Sequence, residues 1–432
     1  MRYIALDVHH RYCEGSELLA SGKIKHFRVH TTREGLEQFA SQLGPDVHLV
    51  MEATGNALWI HDLISPHVGK VLLANPLRTR AIAEARIKTD KLDAEVLVRL
   101  LAADFIPEVW VPSPQQRRLR ALLEYRTSLV QLRTSLKNMV HAVLVRNGIS
   151  SPVSDLFGRR GRQFLSSLIL PEGEAIVLQS ALNSIDTLDK ELQALEGELC
   201  VQAKARPEVK LLLSVPGLDV VSIMTILAEI GDIQRFSSPK KLASYAGLVP
   251  RVYASGKQYY TGHITKEGRS VLRWVLIQVT HRAVQVPGPI QAFFVRLRAK
   301  KGYKVAIVAA ARKLLTLIWT LLTRGEPYRD ADFRRTQLKE RRMQRRAIPY
   351  PAVQTAVLTR KLEQLLVEET IRPMGEAEGA CVLSPMMTAQ HRHRLIWALW
   401  VLHRLDNALE NCKSQFLMRR LGQSRSVKLA LA

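Results

Sequence analysis

The sequence predicts an α/β domain at the N-terminus, then long paired helices, then a mainly α-helical domain. Apolar segments of strand and helix length alternate through residues 1–106, as in α/β domains. Leucine-rich repeats at alternating spacings of three and four follow, and the third part contains a turn flanked by two helical patterns, as in a helix-hairpin-helix unit. A chain of 432 residues is long enough for two or three domains with separate cores.

The first domain is expected to begin with a strand at residues 2–8, with Asp7 near its end. Gly15 and Gly22 are expected to divide the next stretch into further strands. The other expected elements are a strand at 23–30, a helix starting at a threonine cap within 31–43, a buried strand that starts at 47 and ends at Glu52 before a turn, a helix at 56–64, a strand at 70–76 and a helix that carries Asp90 and Asp93.

Four carboxylates occupy positions where ligand sites form. Asp7 and Glu52 fall at the carboxyl ends of strands, whereas Asp90 and Asp93 share the first turn of a helix that Thr89 can cap. Each acid alone is an ordinary strand-end or first-turn residue. Four converging carboxylates would repel one another without a cation, and hard oxygen ligands select Mg²⁺ or Mn²⁺. We therefore expect a divalent-metal site.

The charge balance predicts a polyanionic partner. Lys and Arg number 63 against 39 Asp and Glu, which gives a net charge of +24 and a pI near 10.2. Nucleic acid is the leading partner, while a solubility role or an anionic membrane surface are the alternatives. The four cysteines lie far apart without a C-x-x-C pair, which argues against a disulfide scaffold and structural zinc.

The sequence favours a cytoplasmic protein without a membrane partner. Asp7 lies where the apolar region of a signal peptide would have to be. Residues 305–322 come closest to a membrane span, but Arg312 and Lys313 interrupt them.

Two heptad seams follow a proline-rich linker at 107–114. They predict long helices that pair either within one subunit or between subunits, and both readings stay open. The seams are Leu122, Tyr125, Leu129, Leu132, Leu136, Met139 and Val143, and then Leu182, Ile185, Leu188, Leu192, Leu195 and Leu199. Between them, Arg159, Arg160 and Arg162 are expected in a basic loop that contacts phosphate or is an exposed turn.

The third part contains the helix, Pro-Gly turn and helix of residues 211–232, which can present backbone amides to a phosphate or simply pack in a core. A short helix is expected before the Gly-Leu-Val-Pro at 247–250, and helices are expected over 291–322. Residues 333–346 predict an exposed basic segment that could bind nucleic acid.

Residues 251–276 contain a candidate nucleophile. Ser255 precedes Gly256 in an expected loop, where nearby cations could hold a phosphodiester. Those cations are Lys257, Lys266, Arg269 and Arg273. Tyr253, Tyr259 and Tyr260 are competing hydroxyls that could instead stack on bases.

The acids at 7, 52, 90 and 93 precede PGLDVV, AEIGDIQRF, YAGLVP, the SGK loop and ITKEGRSVLR in order. With them, the chain resembles the DEDD transposases of bacterial insertion sequences, which act as bridge-RNA-guided recombinases. The resemblance covers residues 1 to about 324 and leaves the role of the region from 331 onward open.

The resemblance implies a RuvC-like (RNase H-fold) domain at 1–106, a coiled-coil segment at 107–207, a transposase domain at 208–330 and a basic extension at 331–432. It implies Mg²⁺ (or Mn²⁺) on the four acids, and Ser255 as the nucleophile that joins DNA covalently. It also implies donor and target DNA, an element-encoded guide RNA, and a homo-tetramer, a dimer of dimers, in which acids of one subunit act with the serine of another. Such a protein would be bacterial and nucleoid-associated.

Two other functions remain open at this point. One is a junction-resolving nuclease in which metal-activated water attacks and Ser255 only contacts phosphate. The other is a basic nucleic-acid scaffold whose acids are degenerate.

Overall fold

A five-stranded mixed sheet forms the N-terminal domain in the computed structural model, which describes residues 1–82, 89–255 and 258–348. The strands are β1 (Arg2–Val8), β2 (Tyr12–Leu18), β3 (Ile24–His30), β4 (Val47–Glu52) and β5 (Lys70–Ala74). Their order is β3-β2-β1-β4-β5; β1 is antiparallel to β2 and parallel to β4. Leu6 pairs with Met51, so Asp7 and Glu52 take the next positions at one edge of the sheet.

Helices cover both faces of this sheet, which confirms the predicted α/β class. They are α1 (Arg33–Ser41), α2 (Ala57–Ile64), α3 (Pro76–Ile82) and α4 (Asp90–Ala102). One core contains residues of α1 and α2, and a second contains residues of α4. Thr32 and Thr89 cap α1 and α4 through their side chains, as predicted, whereas α3 was not predicted.

Gly15 does not divide the strands as expected. It lies inside β2, where a Cβ atom would be 2.2 Å from the ring of Phe27 on β3. The glycine therefore permits the close approach of an aromatic ring rather than a turn.

Two long antiparallel helices, α5 (Pro114–Arg146) and α7 (Glu172–Lys204), pair within the chain. Leu129 packs with Leu192 and Leu195 at their interface. Ion pairs flank this seam and join Arg126 to Glu196, Arg133 to Asp189 and Arg146 to Glu174. The seams thus pair inside one subunit along their buried side.

The basic segment between these helices is helical, so the prediction of a loop there was wrong. It forms α6 (Arg159–Ser166), in which Gly161 and Leu165 are buried. A Cβ atom at Gly161 would lie 2.2 Å from the carbonyl oxygen of Leu156. The glycine therefore permits the close approach of α6 to the backbone before it.

The remaining helices form one core around α9 and α13. They are α8 (Pro207–Leu213), α9 (Val220–Ile230), α10 (Pro239–Tyr245), α11 (Ser270–Ala283), α12 (Pro289–Lys301), α13 (Tyr303–Arg324) and α14 (Phe333–Arg346). By length and composition α13 alone among the described helices could cross a membrane, but its residues Ala310, Leu314 and Ile318 are fully buried in this core.

A two-stranded antiparallel hairpin interrupts the helices, and the sequence did not predict it. It consists of β6 (Pro250–Ser255) and β7 (Gln258–Ile264), with Ser255 paired to Gln258. The expected loop around Ser255 is therefore mostly strand.

Helix α5 joins the sheet domain to the helical domain. Arg117 donates to the carbonyl oxygen of Leu58 and pairs with Asp62, both on α2. Gln116 and Arg120 donate to carbonyl oxygens in the last turn of α9. The same helix thus satisfies the free carbonyls at one helix end and anchors the other domain.

Candidate metal site and serine hairpin

Asp7 and Asp90 meet at a single point beside the sheet. Nε2 of His9 lies 3.0 Å from a carboxylate oxygen of Asp7 and 3.2 Å from one of Asp90. One ligand atom from each of the three residues lies within 4.8 Å of the others. Strand β1 positions Asp7, and the turn after it positions His9. The side chain of Thr89 caps α4 and so fixes the first helical turn, which contains Asp90.

The electrostatics of this point favour a bound cation. Burial raises the pKa of the Asp7 carboxyl; the nearby charge of His9 opposes that shift, whereas the charges of Asp90 and Asp93 add to it. A divalent cation would remove this penalty, because it compensates the carboxylates directly. The two carboxylates are oxygen donors of the kind that Mg²⁺ and Mn²⁺ prefer, so Asp7 and Asp90 fit the metal, whereas the imidazole of His9 is not a ligand that Mg²⁺ favours.

Glu52 and Asp93 are not among the three residues that meet at this point. Glu52 is half-buried at the end of β4, beside the end of β1. Asp93 is exposed on α4, close enough to affect Asp7 electrostatically. The structure thus places Asp7 and Asp90 within contact distance of the imidazole of His9. Glu52 is on the strand next to Asp7, and Asp93 is in the same helical turn as Asp90.

Sequence reasoning missed His9 and Tyr12. The hydroxyl of Tyr12 donates to Asp90 at 3.2 Å, and this hydrogen bond raises the pKa of Tyr12. The two rings pack with centroids 5.2 Å apart. His9 follows directly after β1, two positions from Asp7, and this nearness in sequence to a predicted strand-end acid is the signal that could have identified it.

Ser255 ends β6 at the tip of the exposed hairpin. Its side chain is exposed and donates no hydrogen bond to any described residue. Among the competing hydroxyls, Tyr253 and Tyr260 stack on one another across the strands with centroids 4.8 Å apart, and Tyr259 is exposed. The serine is thus the small hydroxyl at the tip, directly before residues 256–257, which lie outside the described residues.

The cations predicted around the serine differ in their surroundings. Arg269 forms a two-pronged ion pair with the buried Glu229, at 2.5 and 3.0 Å. Arg273 donates to the carbonyl oxygen of Ala246 at 3.0 Å, and Lys266 is exposed in a left-handed backbone conformation. Lys257 lies outside the described residues. Arg269 therefore already has a partner inside the domain, and Lys266 is the freest of the described cations.

The other residues predicted to contact phosphate also include some that are free and some that already have partners in the fold. On α6, Arg159 and Arg160 are exposed, whereas Arg162 pairs with Asp186 on α7. At the Pro-Gly turn, the carboxylate of Asp219 accepts the backbone N–H of Ser222 and caps α9. That cap occupies the helix N-terminus, so the arrangement favours a core hairpin over a phosphate site there.

Comparisons with known proteins agree with this layout. The family model of DEDD transposases matches residues 4–147, and the model described as "Transposase IS116/IS110/IS902 family" matches residues 209–295. The pilin gene-inverting protein of Moraxella lacunata is 32% identical over 295 residues, which are 65% of this chain and 82% of that protein. The chain belongs to the IS116/IS110/IS902 family of transposases.

Two further relatives of this transposase cover most of its length. The transposase for insertion sequence element IS1111A of Coxiella burnetii is 28% identical over 65% of this chain and 79% of its own length. A probable family 20 transposase of Pseudomonas aeruginosa is 26% identical over 70% of this chain and 91% of its own length. The protein is a DNA-processing enzyme of the DEDD transposase type, which is consistent with a divalent metal at Asp7 and Asp90.

Proposed function

We propose that this transposase cuts and rejoins the donor and target DNA of an insertion sequence with a Mg²⁺- or Mn²⁺-dependent DEDD site, an RuvC-like domain and a serine nucleophile. The single observation that carries the proposal is the meeting of Asp7 and Asp90 at His9, although these two acids are 83 positions apart in the sequence. Carboxylates gather this way at considerable electrostatic cost, which a cation offsets.

Asp7, Glu52, Asp90 and Asp93 would hold the metal, which when bound polarises the scissile phosphate. The hydroxyl oxygen of Ser255 would bond to phosphorus while the bond to the departing deoxyribose oxygen breaks. The serine proton would pass to a carboxylate, and the departing oxygen would take up a proton. Attack by a DNA hydroxyl on the phosphoserine would reverse these changes and reseal the strand, so the bond energy is conserved.

Relatives include proteins named for gene inversion as well as for transposition. Inversion requires every cut strand to be rejoined, so this likeness favours a recombinase over the hydrolytic alternative. Lys266, Arg159 and Arg160 are free to contact the DNA or RNA backbone, with Lys257 proposed from sequence alone.

Trapping a protein-DNA adduct tests the nucleophile. Wild-type protein with Mg²⁺, element-end DNA and the RNA encoded by the element should give an adduct that survives denaturing electrophoresis, and Ser255→Ala should give none. Tyr259→Phe removes a hydroxyl from the same hairpin and should retain the adduct. Strand cleavage without an adduct would establish hydrolysis instead, and cleavage that persists in Asp7→Ala would contradict both enzymatic readings.

The guide RNA and the tetramer also belong to this proposal. The net charge of +24 suits an RNA and two DNA duplexes. RNA that copurifies with the protein when the flanking non-coding DNA is expressed, and not without it, would support guidance.

The outer side of α5 supports assembly. Tyr125, Leu132 and Met139 recur every seven residues and are all exposed. Such a seam suits a second copy of the chain. Leu132→Glu with Met139→Glu should lower the oligomeric state in sedimentation, and an unchanged tetramer would exclude this surface.

A further inference from the structure

A second feature of the helical domain is a cleft between α14 and the faces of α5, α9 and α11. Its volume is about 670 Å³. That lies in the range of roughly 300–1,000 Å³ that small organic ligands occupy, so the cleft can hold a nucleotide unit but not a duplex. The family matches end at residue 295, and α14 lies beyond them.

Helix α14 is firmly seated as one wall of the cleft, although the sequence predicted only an exposed basic segment. Met343 is buried in the helical core, and the Lys339 ammonium donates to the carbonyl oxygens of Leu213 and Val215, both at 2.9 Å. The chain at the end of α14 runs across α7, where a Cβ atom at Gly197 would lie 2.8 Å from the carbonyl oxygen of Ile348. These contacts fix the cations of α14 in place.

The charge lining the cleft is strongly positive. Six basic side chains and two acidic ones line it, namely Arg126, Arg282, Lys339, Arg342, Arg345 and Arg346 against Glu196 and Asp219. Both acids are already paired, Glu196 with two of the arginines and Asp219 with Arg282. Arg342 and Arg345 are exposed and have no ion-pair partner among the described residues. They therefore offer two uncommitted guanidinium groups to an anion.

An aromatic surface stands opposite these cations. Trp274 of α11 is 52% exposed and lines the cleft. It also lines an adjoining pocket of about 400 Å³ that includes the uncharged polar side chains of Ser128, Gln131 and Ser270. Cations beside an exposed aromatic ring are the arrangement that binds single-stranded nucleic acid, because unpaired bases stack on the ring while the cations hold the backbone. A base-paired duplex keeps its bases stacked and cannot use Trp274.

We propose that this cleft binds a single-stranded stretch of nucleic acid, with Arg342 and Arg345 on phosphates and Trp274 stacked on a base. The proposal rests on the proposed function only in taking nucleic acid as the class of ligand. It predicts a role for α14 that neither metal-site chemistry nor Ser255 requires.

Fluorescence anisotropy on the full chain in EDTA tests the cleft, since no cleavage chemistry can contribute there. The probes are a single-stranded DNA, an RNA of the same sequence and a duplex DNA. Arg342→Gln with Arg345→Gln should weaken single-strand binding about tenfold and make the slope of log K against log salt shallower by about 1.4, at roughly 0.7 for each phosphate contact. Arg334→Gln with Arg341→Gln removes the same charge from two exposed arginines of α14 that do not line the cleft, and should change the affinity less than twofold.

Trp274→Ala should weaken single-strand binding about tenfold and leave duplex binding unchanged. Trp274→Phe keeps a stacking ring and should retain most of the affinity, which guards against a folding defect. If these substitutions weaken binding of the RNA probe more than that of the single-stranded DNA probe, the cleft binds RNA, and the reverse result assigns it to DNA. Both results support the proposal. Equal effects of the two arginine pairs, or single-strand binding that is indifferent to Trp274→Ala, would overturn the proposal. Binding in EDTA is measured without adduct formation, so failure of the nucleophile and failure of the cleft are distinguishable.

Discussion

Arg269 offers a sharp test of how far basic residues near Ser255 serve the fold rather than DNA. Its guanidinium makes two hydrogen bonds to the Glu229 carboxylate, which is 2% exposed. The ion pair raises the pKa of Arg269 through its hydrogen bonds to Glu229. Arg269→Ala would leave this carboxylate buried without a counter-charge.

Breaking a buried pair from one side costs about 3–5 kcal/mol. The Arg269 side chain is 37% exposed, so water can partly replace it and we expect the lower end, about 3 kcal/mol. At about 2 °C per kcal/mol for a domain of this size, the apparent Tm should fall by about 6 °C.

Thermal denaturation followed by circular dichroism measures this loss. Glu229→Gln with Arg269→Met removes both charges and should recover most of the stability, because an apolar and neutral pair carries no unpaired charge. Lys266→Ala is the matched control, since Lys266 is exposed and should leave the Tm within about 1 °C while weakening DNA binding. An unchanged Tm in Arg269→Ala with a large loss of DNA affinity would refute the structural role.

Two further predictions concern the seating of α14. Gly197→Ala should lower the free energy of unfolding by about 1–3 kcal/mol and expose residues 333–348 to protease, because its Cβ would meet backbone at 2.8 Å. Gly173→Ala is the control on the same helix: its Cβ meets nothing within 4 Å, so it should stabilise the protein by up to about 1 kcal/mol. Equal effects of the two substitutions would contradict the close approach at Gly197. Burial lowers the pKa of Lys339 from 10.5 to about 8. Between pH 8 and 10.5 the unfolded chain therefore binds a proton that the folded chain has released, so the stability of wild type relative to Lys339→Met should rise over this pH range in urea titrations. A stability difference that does not change with pH would mean that Lys339 is not desolvated.

The sequence predicted most of the sheet domain because β1, β2, β4 and β5 contain buried apolar residues and because α1 and α4 begin at threonine caps. Asp7 and Glu52 follow from strand ends, and Asp90 follows from the Thr89 cap. The hairpin was missed because every residue of β6 after Pro250 is exposed, so the strand lacks the alternation of apolar and polar residues that reveals half-buried strands.

Long-range partners were beyond sequence reasoning for a different reason. A basic residue looks the same in sequence whether it faces solvent or a buried acid. Glu229 lies 40 positions before Arg269, and Lys339 lies more than 120 positions after the carbonyls that it contacts. Only the packing of α8, α9, α11 and α14 decides which cations remain free for nucleic acid.

Mixing two inactive variants tests the central claim most directly. Asp7→Asn protein keeps the serine, and Ser255→Ala protein keeps the acids, so neither should form an adduct alone. If acids of one subunit act with the serine of another, the mixture should form the adduct, and only on the Asp7→Asn chain. Variants that assemble together and still give no adduct would contradict a shared site between subunits.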